Sequence, residues 1–299
     1  MRKLIKCVFL VIFFLIFTNF SARASQKISK KWVAYPYLYT TYINYKNSSI
    51  KNYGIVTTAY LSLWHGYFDN FQFGAAYTYI KYKNQSDLKQ KDFTFVYSNT
   101  NTILKNHVIT AGIHYISTTD DLTDNGKISF VDITHYWLDR YLLFKANLGL
   151  GIYYSFYNHS TNFSVFQLLP HTSIKVFSTL KEGTLYVDLS GYYIRVSKSK
   201  ELQISKKNYY SLEADARYYY GHTYFTIGGW IGNQIFAVKN SGFVVYNLTE
   251  EYRGGGFFET GYTFKNGIYS SIRFEVTSYK EAGEKPYQNV IIWCIGGHF

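Results

Sequence analysis

Ser211-Leu-Glu-Ala-Asp-Ala-Arg-Tyr-Tyr-Tyr220 alternates without a break. Leu212, Ala214, Ala216, Tyr218 and Tyr220 fall on one side of an extended chain, and Ser211, Glu213, Asp215, Arg217 and Tyr219 on the other. Successive side chains of a strand point to opposite faces, so one face suits oil and the other water. The pattern recurs outward from here. Leu142, Phe144, Ala146, Leu148, Leu150, Ile152, Tyr154 and Phe156 oppose Lys145, Asn147, Gly149, Gly151, Tyr153 and Ser155. Ile268, Ile272, Phe274 and Val276 oppose Tyr269, Ser271, Arg273, Glu275 and Thr277. Leu185, Val187, Leu189 and Tyr193 oppose Asp188 and Ser190.

Run length decides between the folds that alternate. Strands of a soluble sandwich typically span about 5–6 residues, roughly half of what is seen here. About 11 residues rising about 3.3 Å each, tilted near 40°, cross a hydrocarbon layer of ~25–30 Å. In lipid every backbone N–H and C=O needs a partner, and a sheet supplies them all only by closing. The expected fold is all-β, a transmembrane antiparallel up-and-down β-barrel. Its apolar face is read as carrying aromatic rings toward strand ends: Tyr35, Tyr37, Tyr77, Tyr154, Phe156, Tyr193, Tyr218, Tyr262, Phe264 and Trp293. A water-soluble lipocalin-like barrel, its core filled by the same rings, is the competing arrangement; the strand number and the lack of helical segments weigh against it.

Turn chemistry sets that number. Tight connections are expected at Gly66 to Asn70, Asn99 to Asn106, Leu138 to Tyr141, Thr179 to Gly183, Gly221-His222 and Lys265-Asn266-Gly267. Longer polar ones fall at Lys46 to Lys51, Asn84 to Lys91, Thr118 to Lys127, Asn158 to Phe163, Ser197 to Lys207, Val238 to Gly254 and Glu281 to Pro286. Strict alternation of the two sets implies about 14 strands, with 12 or 16 open, short turns on the periplasmic side and long loops outside. Phe243 to Tyr252 fits a strand extension, a folded external loop or an added strand.

Residues 1–24 carry Arg2, Lys3 and Lys6, an apolar run from Val8 to Phe17, and Ser21-Ala22-Arg23-Ala24, the pattern of a cleaved secretory signal peptide. The run is shorter than the roughly 20 residues of a spanning helix, against an uncleaved anchor. Cys7 precedes it, against a lipoprotein. Export through the Sec route would leave residues 25–299 as the barrel domain. The full chain has 31 Lys+Arg and 19 Asp+Glu, and loss of four basic residues leaves a net +8 with Cys294 as the remaining cysteine. No disulfide scaffold or metal-ligand spacing exists, so no metal and no cofactor is expected. A composition 47% apolar and 17% charged excludes a disordered chain, and 33 Tyr, 24 Phe and 5 Trp against three Pro argue against a helical bundle.

Asn289-Val-Ile-Ile-Trp-Cys-Ile-Gly-Gly-His-Phe299 ends in Phe with Ile291, Trp293 and Ile295 at alternate positions. It resembles the terminal strand of Gram-negative outer-membrane proteins, although Gly297 departs from the alternation. The resemblance implies the outer membrane as location and Phe299 as the signal read by the barrel-assembly machinery. Across the second half, Leu168-Leu169-Pro170 opening a strand, Arg217-Tyr-Tyr-Tyr-Gly-His-Thr-Tyr224 and the glycine-bearing strands after it resemble YaiO-like outer-membrane barrels. That resemblance implies a surface-polysaccharide system as partner; the tetratricopeptide repeats that precede many such barrels have no counterpart here.

About fourteen strands enclose a lumen. Its candidate lining is Lys145, Asp188, Glu213, Asp215, Arg217, Glu259, Arg273 and Glu275, whose charges favour hydrated polar solutes or form a cross-strand ion-pair network. Inward Tyr60, Tyr153, Tyr219 and Tyr269 are placed to stack on sugar rings or to act as spacers. The reading is a modest pore or export channel for polar solutes or a surface glycan. Its competitor is a structural or adhesive surface barrel acting through Ser197 to Lys207 and Val238 to Gly254. An outer-membrane acyl hydrolase needs Ser and His with a third orienting group, and an omptin-like protease needs Asp/His pairs at the external rim; the candidates His159-Ser160, and His171 with Ser173, come with no identifiable third member, so no enzyme is expected. The basic charge lies in scattered loop lysines with no nucleic-acid motif; solvated loops are the default, and contact with outer-membrane lipid and lipopolysaccharide phosphates is the alternative. Gly254-Gly255-Gly256 reads as a loop end or strand bend.

Overall fold

A computed structural model describes residues 32–179 and 181–298. The signal peptide expected over 1–24 and Phe299 lie outside them. Fourteen strands form the wall: β1 (Trp32–Lys46), β2 (Lys51–His65), β3 (Asp69–Tyr82), β4 (Leu88–Thr100), β5 (His107–Thr118), β6 (Lys127–Leu138), β7 (Phe144–Tyr157), β8 (Phe163–Thr179), β9 (Gly183–Val196), β10 (Asn208–Tyr220), β11 (Thr223–Gln234), β12 (Glu251–Thr263), β13 (Tyr269–Lys280) and β14 (Tyr287–Gly296). Each pairs antiparallel with its neighbours in the chain, and β14 returns to β1 from Lys46↔Tyr287 to Tyr37↔Gly296, closing the barrel. The connections alternate as the turn residues dictate. The two-residue turn at Gly221-His222 takes φ 57 at Gly221, a left-handed conformation that glycine adopts without steric cost.

The apolar faces point outward. Ile227 is 65%, Leu148 56% and Leu212 54% exposed, where a soluble barrel would bury them. Because Ile227 sits mid-strand in this band, Ile227→Arg is expected to lower the unfolding free energy in liposomes by about 2–4 kcal/mol. Urea titration measures it, and a change below about 1 kcal/mol would place this face away from lipid.

Three local expectations are corrected. Tyr35 and Tyr37 turn inward: Tyr37 meets Tyr60 and Tyr269 with ring centroids 5.9 Å away in each case. β1 carries apolar or aromatic residues at both parities, so alternation alone leaves its outward face open. In β7 the register slips against β6 between Trp137 and Leu138, so Phe144 joins the interior side while Lys145 stays exposed. Leu142 leaves the strand altogether, sitting in the turn at φ 60. Leu168-Leu169-Pro170 falls inside β8 instead of opening a strand, and the β8–β9 ladder skips from Leu168↔Tyr193 to His171↔Ser190. Pro170 has no N–H to give there.

Inside, the two ends differ. At the end carrying the longer loops, Val96, Ile116, Ile128 and Phe130 of β4–β6 face Tyr157, Val165, Ile194 and Val196 of β7–β9 in one buried apolar cluster. At the end carrying the short turns the interior is polar.

Candidate functional site

A cavity of about 1250 Å³ fills the turn-end half of the barrel, reaching from Gly221, His222 and Thr263 at its rim to Asn240 and Ser241 at its roof. Period-two alternation places its charges. Asp188 pairs directly with Asp215, and one step toward the turns Tyr186, Arg217, Thr226, Glu259 and Arg273 run side by side across β9–β13. Arg217 Nε and Nη2 donate to Asp188 at 2.7 and 2.8 Å, a bidentate fork, while Asp215 Oδ1 stays 3.7 Å from Nε. Arg273 Nη2 donates to Glu275 at 2.9 Å, its Nη1 lies 3.8 Å from Glu259, and its guanidinium sits 3.5 Å over the Phe257 ring. Glu259 accepts a hydrogen bond from Tyr224, which also bonds Tyr269. On the opposite wall His171 Nε2 bonds Asp132 at 2.9 Å and Thr134 donates to Asp132 at 2.7 Å.

Of the eight candidate lining residues, Asp188, Glu213, Asp215, Arg217, Glu259 and Arg273 line this cavity. Glu275 and Lys145 are not among its lining residues; Lys145 is displaced by the β7 irregularity described above. Asp132 and His171 complete the site from β6 and β8; the sequence names His171 beside Ser173, whereas only inward parity could have announced Asp132.

The roof was not foreseen. Residues 235–250 fold into the barrel instead of standing outside it. Ile235, Phe236 and Ala237 are fully buried and Val238 nearly so, within the loop-end cluster. A two-rung ladder, Val238↔Val245 and Lys239↔Val244, closes a hairpin whose tip at 240–242 contacts β4, β5 and β6. This is the folded-loop alternative for Phe243 to Tyr252, turned inward. Gln167 imitates a strand partner: its Nε2 donates to Val238 O at 2.6 Å and its Oε1 accepts from Val238 N at 2.9 Å. Lys239 Nζ donates to Glu213 at 2.6 Å. Phe243 reaches Tyr60 at 5.0 Å, and a Cβ on Gly74 would come within 2.8 Å of its ring, so glycine there makes room for the tip. Behind the loop, Lys51 bonds Glu250 and lies 2.9 Å from Glu281, with side chains 2%, 9% and 7% exposed. Burial pushes the Glu250 carboxyl above its ordinary range against the pull of Lys51.

The glycine run lies in β12, with a register shift between Tyr252 and Gly254, where a Cβ on Gly255 would meet Thr277 Oγ1 at 2.7 Å. His159 Nδ1 bonds the Asp121 carbonyl at 3.0 Å and so ties two loops together. His171 and Ser173 both line the cavity, but the partners of His171 are Asp132 and Thr134. Among the described residues no cluster of His, Cys, Asp and Glu is placed to hold a metal.

No protein-family model matches the sequence, and no curated relative does. The structure is similar to that of a bacterial polysaccharide outer membrane secretin, with TM-score 0.54 and 6% identity over 89% of this chain and 98% of that one. The fold is that of outer-membrane β-barrels. The CymD monoaromatic hydrocarbon channel is similar at TM-score 0.55 and 11% identity, covering 89% of this chain and 87% of its own. The toluene transporter TbuX of Ralstonia pickettii is similar at 0.53 and 9%, covering 91% and 90%. At such identities the likeness concerns the fold, and function has to come from the site.

Proposed function

We propose that this chain is an outer-membrane channel for polar solutes or a surface glycan, held closed by its own inward-folded loop. The observation that carries the reading is the polar 1250 Å³ vestibule, open at the turn end and roofed by residues 240–241. A barrel with a purely structural task has no use for a charged hollow beneath a removable roof, since buried ionic groups are costly to maintain. The secretin-like and channel-like neighbours support the same reading. So does the resemblance of the second half to YaiO-like barrels, which supplies a surface-polysaccharide system as partner. With the turns periplasmic, the vestibule faces the periplasm and the apolar cluster faces the cell exterior. Insertion by the barrel-assembly machinery through Phe299, and contact of the loop lysines with lipopolysaccharide, belong to this reading.

The adhesive alternative loses one of its two loops, because residues 235–250 are packed inside. Purified protein in planar bilayers tests the proposal: brief, infrequent openings from a closed baseline are expected. A baseline that stays silent at every voltage, even after the loop is removed, would reject it.

A further inference from the structure

We propose that the vestibule binds carbohydrate carrying free amino groups, so that the cargo is a cationic amino-sugar chain; this rests on the channel reading above. Two independent features point there. The first is an arc of rings along the inner wall. Phe144, Tyr186, Tyr219, Tyr224 and Tyr269 follow one another with centroids 5.9, 6.0, 5.8 and 5.9 Å apart, and all five line the cavity. Pyranose rings present apolar C–H faces that pack on aromatic surface while their hydroxyls take polar partners, and a row of rings lets one sugar replace the next without a deep well. A hydrocarbon would leave the polar wall between these rings unsatisfied.

The second is the sign of the charge. Asp132, Asp188, Glu213, Asp215 and Glu259 line the cavity against Arg217 and Arg273. Arg217 is engaged by Asp188, Arg273 by Glu275 at 2.9 Å with Glu259 3.8 Å away, and Glu213 by Lys239 of the roof, which leaves acid in excess: Glu259 and Asp132 accept from a tyrosine and from a threonine and histidine, and Asp215 stays 3.7 Å from Arg217. Carboxylates so placed remain able to accept from an ammonium group, and the rings add cation–π attraction. A uronate chain would meet like charge, and an N-acetylated chain would gain only the stacking.

The test uses the full chain in a detergent without a sugar headgroup. Calorimetric titration compares a glucosamine trisaccharide, its N-acetylated counterpart and a uronate trisaccharide. The glucosamine oligomer should bind tightest, and Asp132→Asn with Glu259→Gln should weaken it about tenfold while changing the N-acetylated one far less. Tyr219→Leu with Tyr269→Leu should weaken both oligomers, with heat-modifiable migration on gels reporting that the barrel has folded. Preference for the uronate, equal affinity for all three, or no binding would overturn the proposal. Conductance separates the two readings. A loop-shortened barrel that passes ions without being blocked by the glucosamine oligomer removes the cargo and keeps the channel. One that binds the oligomer but passes no current removes the channel and keeps the site.

Discussion

Replacing residues 236–246 by a short glycine–serine linker is expected to convert a closed barrel into a persistently conducting one. Phe236 and Val238 are buried at 0% and 1% exposure, and complete burial of such a side chain contributes about 1.5–3 kcal/mol. The Gln167 and Lys239 contacts hold the loop in addition. With the open form as the minor state of a two-state equilibrium, a few kcal/mol above the closed one, its population is about 0.1–10%. Removing the loop should raise the open fraction by about tenfold to a thousandfold, without loss of the wall, since none of β1–β14 includes these residues. Single-channel recording reads the open fraction, and heat-modifiable migration on gels reads the fold. A folded, loop-free barrel that still passes no current would mean that the apolar cluster of β4–β9 seals the loop end by itself, and the channel reading would fall.

The wall was legible because its physics repeats at every second residue. The turn residues at Gly66, Gly221 and Gly267 divided the chain where the structure divides it, and their left-handed φ values of 62, 57 and 83 explain why glycine marks the places. The charged lining of β9–β13 was legible for the same reason: Glu213, Asp215 and Arg217 occupy the parity opposite Leu212 and Ala216. The loop was not, because alternation speaks only about the wall. Ile235-Phe-Ala-Val238 is an apolar run between two strands that have no place for it outside, and seating it needs Gln167, far away in sequence, just as the tip residue Phe243 needs Gly74. Inward apolar residues such as Ile116 and Phe130 look, one strand at a time, like ordinary variation; only assembled do they make a dry half. Lys145 failed for a local reason, a slipped register that no pattern of period two can express.

Lys51→Met is expected to release the loop and to destabilise the barrel, and the comparison with a second variant shows why. Lys51 holds Glu250, which ends the inward loop, and Glu281, beyond β13, while Ser48 donates to Glu281 at 2.6 Å. Tyr45 and Tyr279 stand 5.3 and 5.4 Å from the ammonium, so carboxylates and rings surround the cation. Removing one partner of a buried ion pair strands the other and costs about 3–5 kcal/mol, because the remaining charge keeps its desolvation cost without its compensation. Here two carboxylates would be stranded side by side. The cost falls first on the contact that can be given up most cheaply, which is the seating of residues 235–250, so openings in planar bilayers should lengthen before the wall melts. The triple variant Lys51→Met, Glu250→Gln, Glu281→Gln removes the stranded charge along with the cation and should recover most of the lost stability and the closed baseline, since a neutral buried cluster carries no such desolvation. Urea unfolding and open fraction, measured on all three proteins, decide the matter. If the triple variant is as unstable and as open as the single one, shape rather than charge closes the barrel there; if Lys51→Met leaves both readings unchanged, the clasp does not hold the loop.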